Sequence, residues 1–148
     1  MTDTQHLEQS IHGQCLCGAV SITIDQPKPE IDVCHCAMCR RWGGGAFGGV
    51  HGKGFTVEGK GNVTVYRSSD WAERAFCRTC GSNLWYHFLP ADSHSFLSGL
   101  FDLPAEFTIT QQIFVDEKPH WYDLAQQSVM KTGAEIIAEA EAAGYTFD

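Results

Sequence analysis

Seven cysteines fall into three tight clusters: Cys15-x-Cys17, Cys34-x-Cys36-x-x-Cys39 and Cys77-x-x-Cys80. Thiolate sulfur is a good Zn²⁺ ligand, and short chelating loops bring sulfurs close enough to satisfy a tetrahedral ion. Gly81, directly after Cys80, permits the tight turn beneath a zinc knuckle. Four sulfurs close one site and three remain. A three-thiolate site keeps one position open to water or substrate, as a catalytic zinc requires. Spacing alone leaves the partition open. Cys15 and Cys17 with Cys77 and Cys80 would leave Cys34, Cys36 and Cys39, but other pairings are arithmetically possible. Buried free thiols, a redox pair and an iron–sulfur cluster are the competing readings.

The compartment bears on this choice. Met1 to Ser10 is polar, with no basic n-region and no apolar core of a signal peptide. A cytoplasmic, reducing setting is expected. There, an odd number of cysteines favours metal binding over a disulfide framework.

Other side chains near the clusters have two readings each. His35 sits between two candidate ligands, where alternation points it away from the metal, toward a supporting or packing role. Arg40 and Arg41 follow Cys39 directly; they suit capture of a carboxylate by a guanidinium fork, or simply a solvated turn. Trp42 is close enough in sequence to line a substrate pocket. His51, His87, His94 and His120 are scattered and read as structural. Gly43-Gly44-Gly45 lacks the lysine of a phosphate loop and reads as a turn.

The elements that must position these residues read as mainly β. Val20, Ile22 and Ile24 alternate with polar residues, as in a half-buried strand. Further strands are expected at 46–50, 55–58, 63–67, 73–77, 84–89, 95–101 and 107–115, punctuated by many of the fifteen glycines. Such short, closely spaced strands suggest small antiparallel sheets. Thr132 and Glu135 have capping-box spacing, Ile136, Ile137 and Ala140 make an apolar stripe, and Gly144 suits a helix stop. A short helix over 133–143 follows, for packing or an oligomer contact.

Charge narrows the partners. Of the net −8, residues 101–148 contribute −7, from nine acids against Lys118 and Lys131. No basic stripe for a phosphate backbone is present, so nucleic acid is not expected. No run approaches the roughly 18 apolar residues of a membrane helix. All eight basic residues of the first hundred lie between Lys28 and Arg78, among most of the cysteines, which suits a small anionic ligand.

Three segments carry a resemblance: Gly13-Gln14-Cys15-Leu16-Cys17-Gly18-Ala19-Val20, Cys34-His35-Cys36-Ala37-Met38-Cys39-Arg40-Arg41, and Arg74-Ala75-Phe76-Cys77-Arg78-Thr79-Cys80-Gly81-Ser82. Together they resemble the glutathione-dependent formaldehyde-activating enzyme family, whose domain is shared with centromere protein V. Weaker likeness at 99–104, 113–115 and 119–122 extends it to about Ala125. The resemblance implies a β-tent fold of small antiparallel sheets around two zinc ions per chain. It implies that Cys15, Cys17, Cys77 and Cys80 hold a structural zinc, and Cys34, Cys36 and Cys39 an exposed, catalytic one. It implies carbon–sulfur lyase chemistry on a small thiol such as glutathione, combined with formaldehyde. The organisation expected is an N-terminal tail (1–12), a zinc-binding domain (13–125) and a helical tail (126–148). A non-catalytic zinc module for protein association, with the acidic tail as its contact surface, is the alternative. An open position in a pocket would favour the enzyme, and a fourth protein ligand or a buried site the module.

Overall fold

The computed structural model describes residues 5–147, so residues 1–4 of the expected N-terminal tail and residue 148 lie outside the described residues. The strands in chain order are β1 (Ile11–Gln14), β2 (Ser21–Pro27), β3 (Glu30–Cys34), β4 (Phe47–Val50), β5 (Gly52–Glu58), β6 (Val63–Arg67), β7 (Ala72–Cys77), β8 (Asn83–Phe88), β9 (Ser93–Leu97), β10 (Thr108–Ile113) and β11 (Val129–Lys131). The helices are α1 (Ala37–Gly43) and α2 (Gly133–Ala142). The fold is mainly β, with small sheets and a short C-terminal helix. The chain divides into two compact units: the part up to Pro29 with Gly49–Phe107, and Glu30–Gly48 with the part from Thr108 onward.

In the first unit β1, β2 and β5 form an antiparallel sheet in the order β1-β2-β5. Ile22 and Ile24 are buried and pair with Val57 and Phe55, while the alternating Ser21 and Thr23 are only half-buried. That is the alternation read from the sequence. The other strands of this unit run antiparallel as β9-β8-β7-β6, and the end of β4 joins β9 through Gly49↔Leu97 and Val50↔Phe96. The core comprises Val20, Ile22, Ile24, Val50, Leu84 and Phe96, each no more than 2% exposed. Phe55 meets Phe96 edge-on, their centroids 5.0 Å apart, so β5 packs on β9. At the end of β7 the register with β8 slips between Ala75 and Phe76. Such a bulge bends a strand and re-aims its side chains, and here it lies just before Cys77.

The second unit pairs its strands differently. β10 lies between β3 and β11 and is parallel to both, with Ile113 opposite Cys34 and Lys131. The antiparallel reading therefore describes the first unit, and these three strands add a parallel arrangement to it. Parallel neighbours cannot be joined by a tight hairpin. Their partners are consequently far apart in sequence, where local alternation is uninformative.

Helix α2 follows its sequence signals. Thr132 Oγ1 accepts from the Glu135 backbone N–H at 3.2 Å, and Glu135 Oε1 accepts from the Thr132 N–H at 3.1 Å, completing the capping box. The start is anchored further by Gly133 N–H donating to Asp116 Oδ1 at 2.7 Å. Ile136 and Ala140 are half-buried, whereas Ile137 is exposed. Helix α1 was not anticipated. Its N-cap is Cys36, whose sulfur accepts from the Cys39 N–H at 3.3 Å. Sequence rules look to Ser, Thr, Asp or Asn for that role.

Candidate metal centres

Two loops of similar construction build the first centre. After β1, Gly18 N–H donates to the Cys15 carbonyl at 3.1 Å; after β7, Gly81 N–H donates to the Cys77 carbonyl at 2.8 Å. Both glycines have φ near +80° (80° and 78°), which side chains disfavour. The four sulfurs of Cys15, Cys17, Cys77 and Cys80 all lie within 4.8 Å of one another. Cys17 Sγ is 3.7 Å from both Cys15 Sγ and Cys77 Sγ. A disulfide has sulfurs about 2.05 Å apart, so these are free thiols in contact. A tetrahedral zinc with bonds of about 2.3 Å would set its sulfurs about 3.8 Å apart. The donor set fits such an ion.

Polar neighbours complete this centre, and sequence reasoning gave them no role. Asn62 Nδ2 donates to Cys77 Sγ at 3.0 Å, and Val20 N–H donates to Cys15 Sγ at 3.3 Å. Thr79 Oγ1 donates to Asn62 Oδ1 at 3.0 Å, which holds the amide in that orientation. Ser82 stitches the two loops together, accepting from Leu16 N–H at 3.0 Å and lying 3.2 Å from Cys80 Sγ. These contacts divide the protons unevenly. The Ser82 hydroxyl and backbone N–H draw Cys80 down to about 5. The backbone N–H of Ala19 draws Cys17 down as well, but loss of water and its three sulfur neighbours outweigh it and push Cys17 up to about 11. Four facing thiolates repel one another, and a dication removes that conflict.

The second centre is local. Cys34 ends β3, Cys36 caps α1 and Cys39 lies in its first turn, and their three sulfurs are within 4.8 Å of one another. All three residues are buried, against Phe47, Ile113 and Phe114, where the resemblance implies an exposed site. Among the described residues, no fourth His, Cys, Asp or Glu joins this group. The sulfurs share protons unequally here too. Contacts from Cys34, then Cys39, draw Cys36 down to about 2, and the same sulfur contacts with burial push Cys34 well up. This trio also suits a thiophilic ion.

His35 turns away from it. The ring is fully buried, with Nε2 2.8 Å from Gln112 Oε1 and Nδ1 2.6 Å from the Tyr122 hydroxyl. The Gln112 amide nitrogen donates to Ser128 Oγ at 2.9 Å, so its oxygen faces the ring. Nε2 therefore carries a proton, and in the neutral ring Nδ1 accepts from Tyr122. Both nitrogens are engaged. Burial pushes the Tyr122 hydroxyl above its ordinary range, against the nearby charges of Lys118 and Arg40. Glu117 supports the same segment, accepting from Ala37 N–H at 2.9 Å.

The remaining candidates lie on α1. Arg40 is half-buried, and its Nε donates to the His35 carbonyl at 3.1 Å. Arg41 is exposed, with Nη1 3.5 Å from the Ala37 carbonyl. Trp42 stacks on Phe47, their rings 5.7 Å apart. Helical spacing thus keeps both guanidinium groups on the element that carries Cys39.

The pattern of three cysteine segments matches the family model described as glutathione-dependent formaldehyde-activating enzyme over residues 10–117, which includes both centres. The chain belongs to that family. It is 32% identical over 127 residues to an uncharacterized lyase of Schizosaccharomyces pombe, covering 84% of this chain and 93% of that protein. It is 28% identical over 127 residues to a Halomonas elongata protein provisionally named a glutathione-dependent formaldehyde-activating enzyme, covering 77% of this chain and 80% of that one. A crystal structure of a Rhodobacter sphaeroides protein shares the fold, with a TM-score of 0.53 at 23% identity, over 82% of this chain and 99% of that one. The family match ends at Glu117, so Tyr122 and α2 lie beyond it. Among the described residues no helix is long and apolar enough to cross a membrane.

Proposed function

We propose that this chain is a zinc-dependent carbon–sulfur lyase that joins a small thiol to an aldehyde, as in the formation of S-(hydroxymethyl)glutathione from glutathione and formaldehyde. The observation that carries this reading is the three-sulfur group of Cys34, Cys36 and Cys39, which has no fourth donor among the described residues. Cys15, Cys17, Cys77 and Cys80 would hold a structural Zn²⁺, and the trio a catalytic one. When bound at the trio, the ion supplies Lewis-acid stabilisation to a thiol sulfur or to an aldehyde oxygen.

The chemistry needs no oxidant. The thiol loses its proton, its sulfur bonds to the carbonyl carbon, and the C=O π pair moves to oxygen, which takes up a proton. The chain's own residues prepare this. Arg40 and Arg41 offer fixed positive charge to the thiol's carboxylates. Trp42 and Phe47 supply an apolar wall. The bonds of His35 to Gln112 and Tyr122 hold the Cys34–Cys36 turn in place. Burial of the trio counts toward the non-catalytic module, and the lack of a fourth donor among the described residues counts toward catalysis, for which only the open position must reach substrate.

Exchange NMR with ¹³C-formaldehyde and glutathione tests the proposal. The zinc-loaded protein should speed interconversion of formaldehyde and its glutathione adduct well above the spontaneous rate. No acceleration, with zinc at full occupancy, would favour the non-catalytic module instead.

A further inference from the structure

One more group of ligand-type side chains converges, and it shares no residue with the cysteine centres. His87 on β8 and His94 on β9 are directly opposite in register. Their rings stack with centroids 3.9 Å apart and planes 13° apart. The hairpin turns through a short 3-10 segment, Leu89–Ala91, into Asp92, which has φ 48° and ψ 45°. Aspartate is among the few residues that accept this left-handed conformation readily. The turn delivers Asp92 Oδ1 to 2.7 Å from His87 Nε2. One donor atom from each of the three side chains lies within 4.8 Å of the others.

The surroundings add to this. Glu73 on β7 is opposite His87, so a second carboxylate shares that face of the sheet one strand away. Arg67, opposite Glu73 on β6, donates instead to the carbonyls of Ser69 and Asp70 at 2.8 and 2.7 Å. Phe55, with its ring 4.6 Å from His94, walls the other side. A surface ion pair alone would account for the His87–Asp92 contact. It does not account for a third donor, a second imidazole nitrogen, within 4.8 Å of both partners.

Two imidazoles and a carboxylate suit borderline divalent ions such as Zn²⁺, Ni²⁺ or Co²⁺ better than Ca²⁺ or Mg²⁺. Adjacent donors bound at about 2.1 Å in a right-angled arrangement stand about 3.0 Å apart. The His87–Asp92 spacing need open only slightly when an ion replaces the shared proton, and one imidazole must rotate out of the stack, because each ring nitrogen binds a metal in its own ring plane. We propose that His87, Asp92 and His94 form a third metal site, for a borderline divalent transition ion, at the β8–β9 hairpin. Three protein donors leave the remaining positions to water or an exogenous ligand.

Ni²⁺ is the probe. In calorimetric titration of the reduced protein, the wild type should take up one equivalent more than the His87→Asn/His94→Asn double variant. That equivalent should bring no sulfur-to-nickel charge-transfer absorption. Asp92→Asn should weaken it by at least about 10-fold, because a neutral amide replaces a ligating carboxylate. Equal stoichiometry in the two proteins, or thiolate bands accompanying the extra equivalent, would overturn the proposal. ¹⁵N NMR of the wild type decides independently of how the variant folds. The ring signals of His87 and His94 should broaden at the lowest Ni²⁺ ratios, and earlier broadening of His12, His51 or His120 would reject the site.

Discussion

The Tyr122 hydroxyl and Nδ1 of His35 share a hydrogen bond of 2.6 Å across 87 residues of sequence. His35 lies between Cys34 and Cys36, so this one bond ties the segment beyond β10 to the turn that presents the trio. Tyr122→Phe removes the hydroxyl and leaves a buried ring nitrogen without its partner, a change that costs ~1–3 kcal/mol. Urea unfolding should show that loss, and metal affinity at the trio should fall with it. Unchanged stability and affinity would mean that the bond does not hold the turn.

Metal content follows from the two sulfur groups. Protein purified with reductant and without chelator should contain two Zn²⁺ per chain by elemental analysis. One equivalent or fewer in fully folded protein would count against the two-centre reading, and iron in place of zinc would remove the proposed chemistry.

The two centres should differ in what they stabilise. Cys17 and Cys77 are 60 residues apart and their sulfurs 3.7 Å, so an ion there closes a long loop as well as binding metal. Cys77→Ser should cost more than about 4 kcal/mol, in the range reserved for loss of a metal or core network. Cys36→Ser should cost far less, because serine is itself a good N-cap and can take the Cys39 N–H that the sulfur now accepts. Cys36→Ala, which loses cap and ligand together, should be less stable than Cys36→Ser by about 1 kcal/mol. Thermal unfolding in the reverse order would mean that the partition of cysteines is wrong.

The arginines make a charge-dependent prediction. Arg40→Ala/Arg41→Ala should weaken binding of glutathione and spare the neutral thiol mercaptoethanol. The difference from wild type should shrink at high salt, where exposed charges are screened. Titration calorimetry with both thiols checks this. An equal loss for both would assign the arginines to structure, a role the Arg40–His35 carbonyl bond already hints at.

Much of this protein was legible in its sequence because the signals are local. Alternation at Val20, Ile22 and Ile24 reports a half-buried strand, and Thr132 with Glu135 reports a helix start, because each depends on neighbours within a few residues. Cys-x-x-Cys-Gly likewise reports a chelating turn before anything is known of its partner. Helix α1 escaped this reading because its cap is a sulfur that also belongs to the trio.

The long-range partnerships belong to the tertiary structure. Which cysteine pair meets Cys77 and Cys80 depends on how the β1–β2 and β7–β8 turns face each other. Asn62 and Ser82 gain their roles only from that meeting. Gln112 and Tyr122 reach His35 because β10 runs parallel beside β3, a pairing that no local pattern encodes. His87 and His94 read as scattered until the hairpin register set them opposite and the turn at Asp92 closed on them. Spacing along a chain specifies which residues share an element, but contacts between elements are set by strand register and by the burial that favours one register over its neighbours.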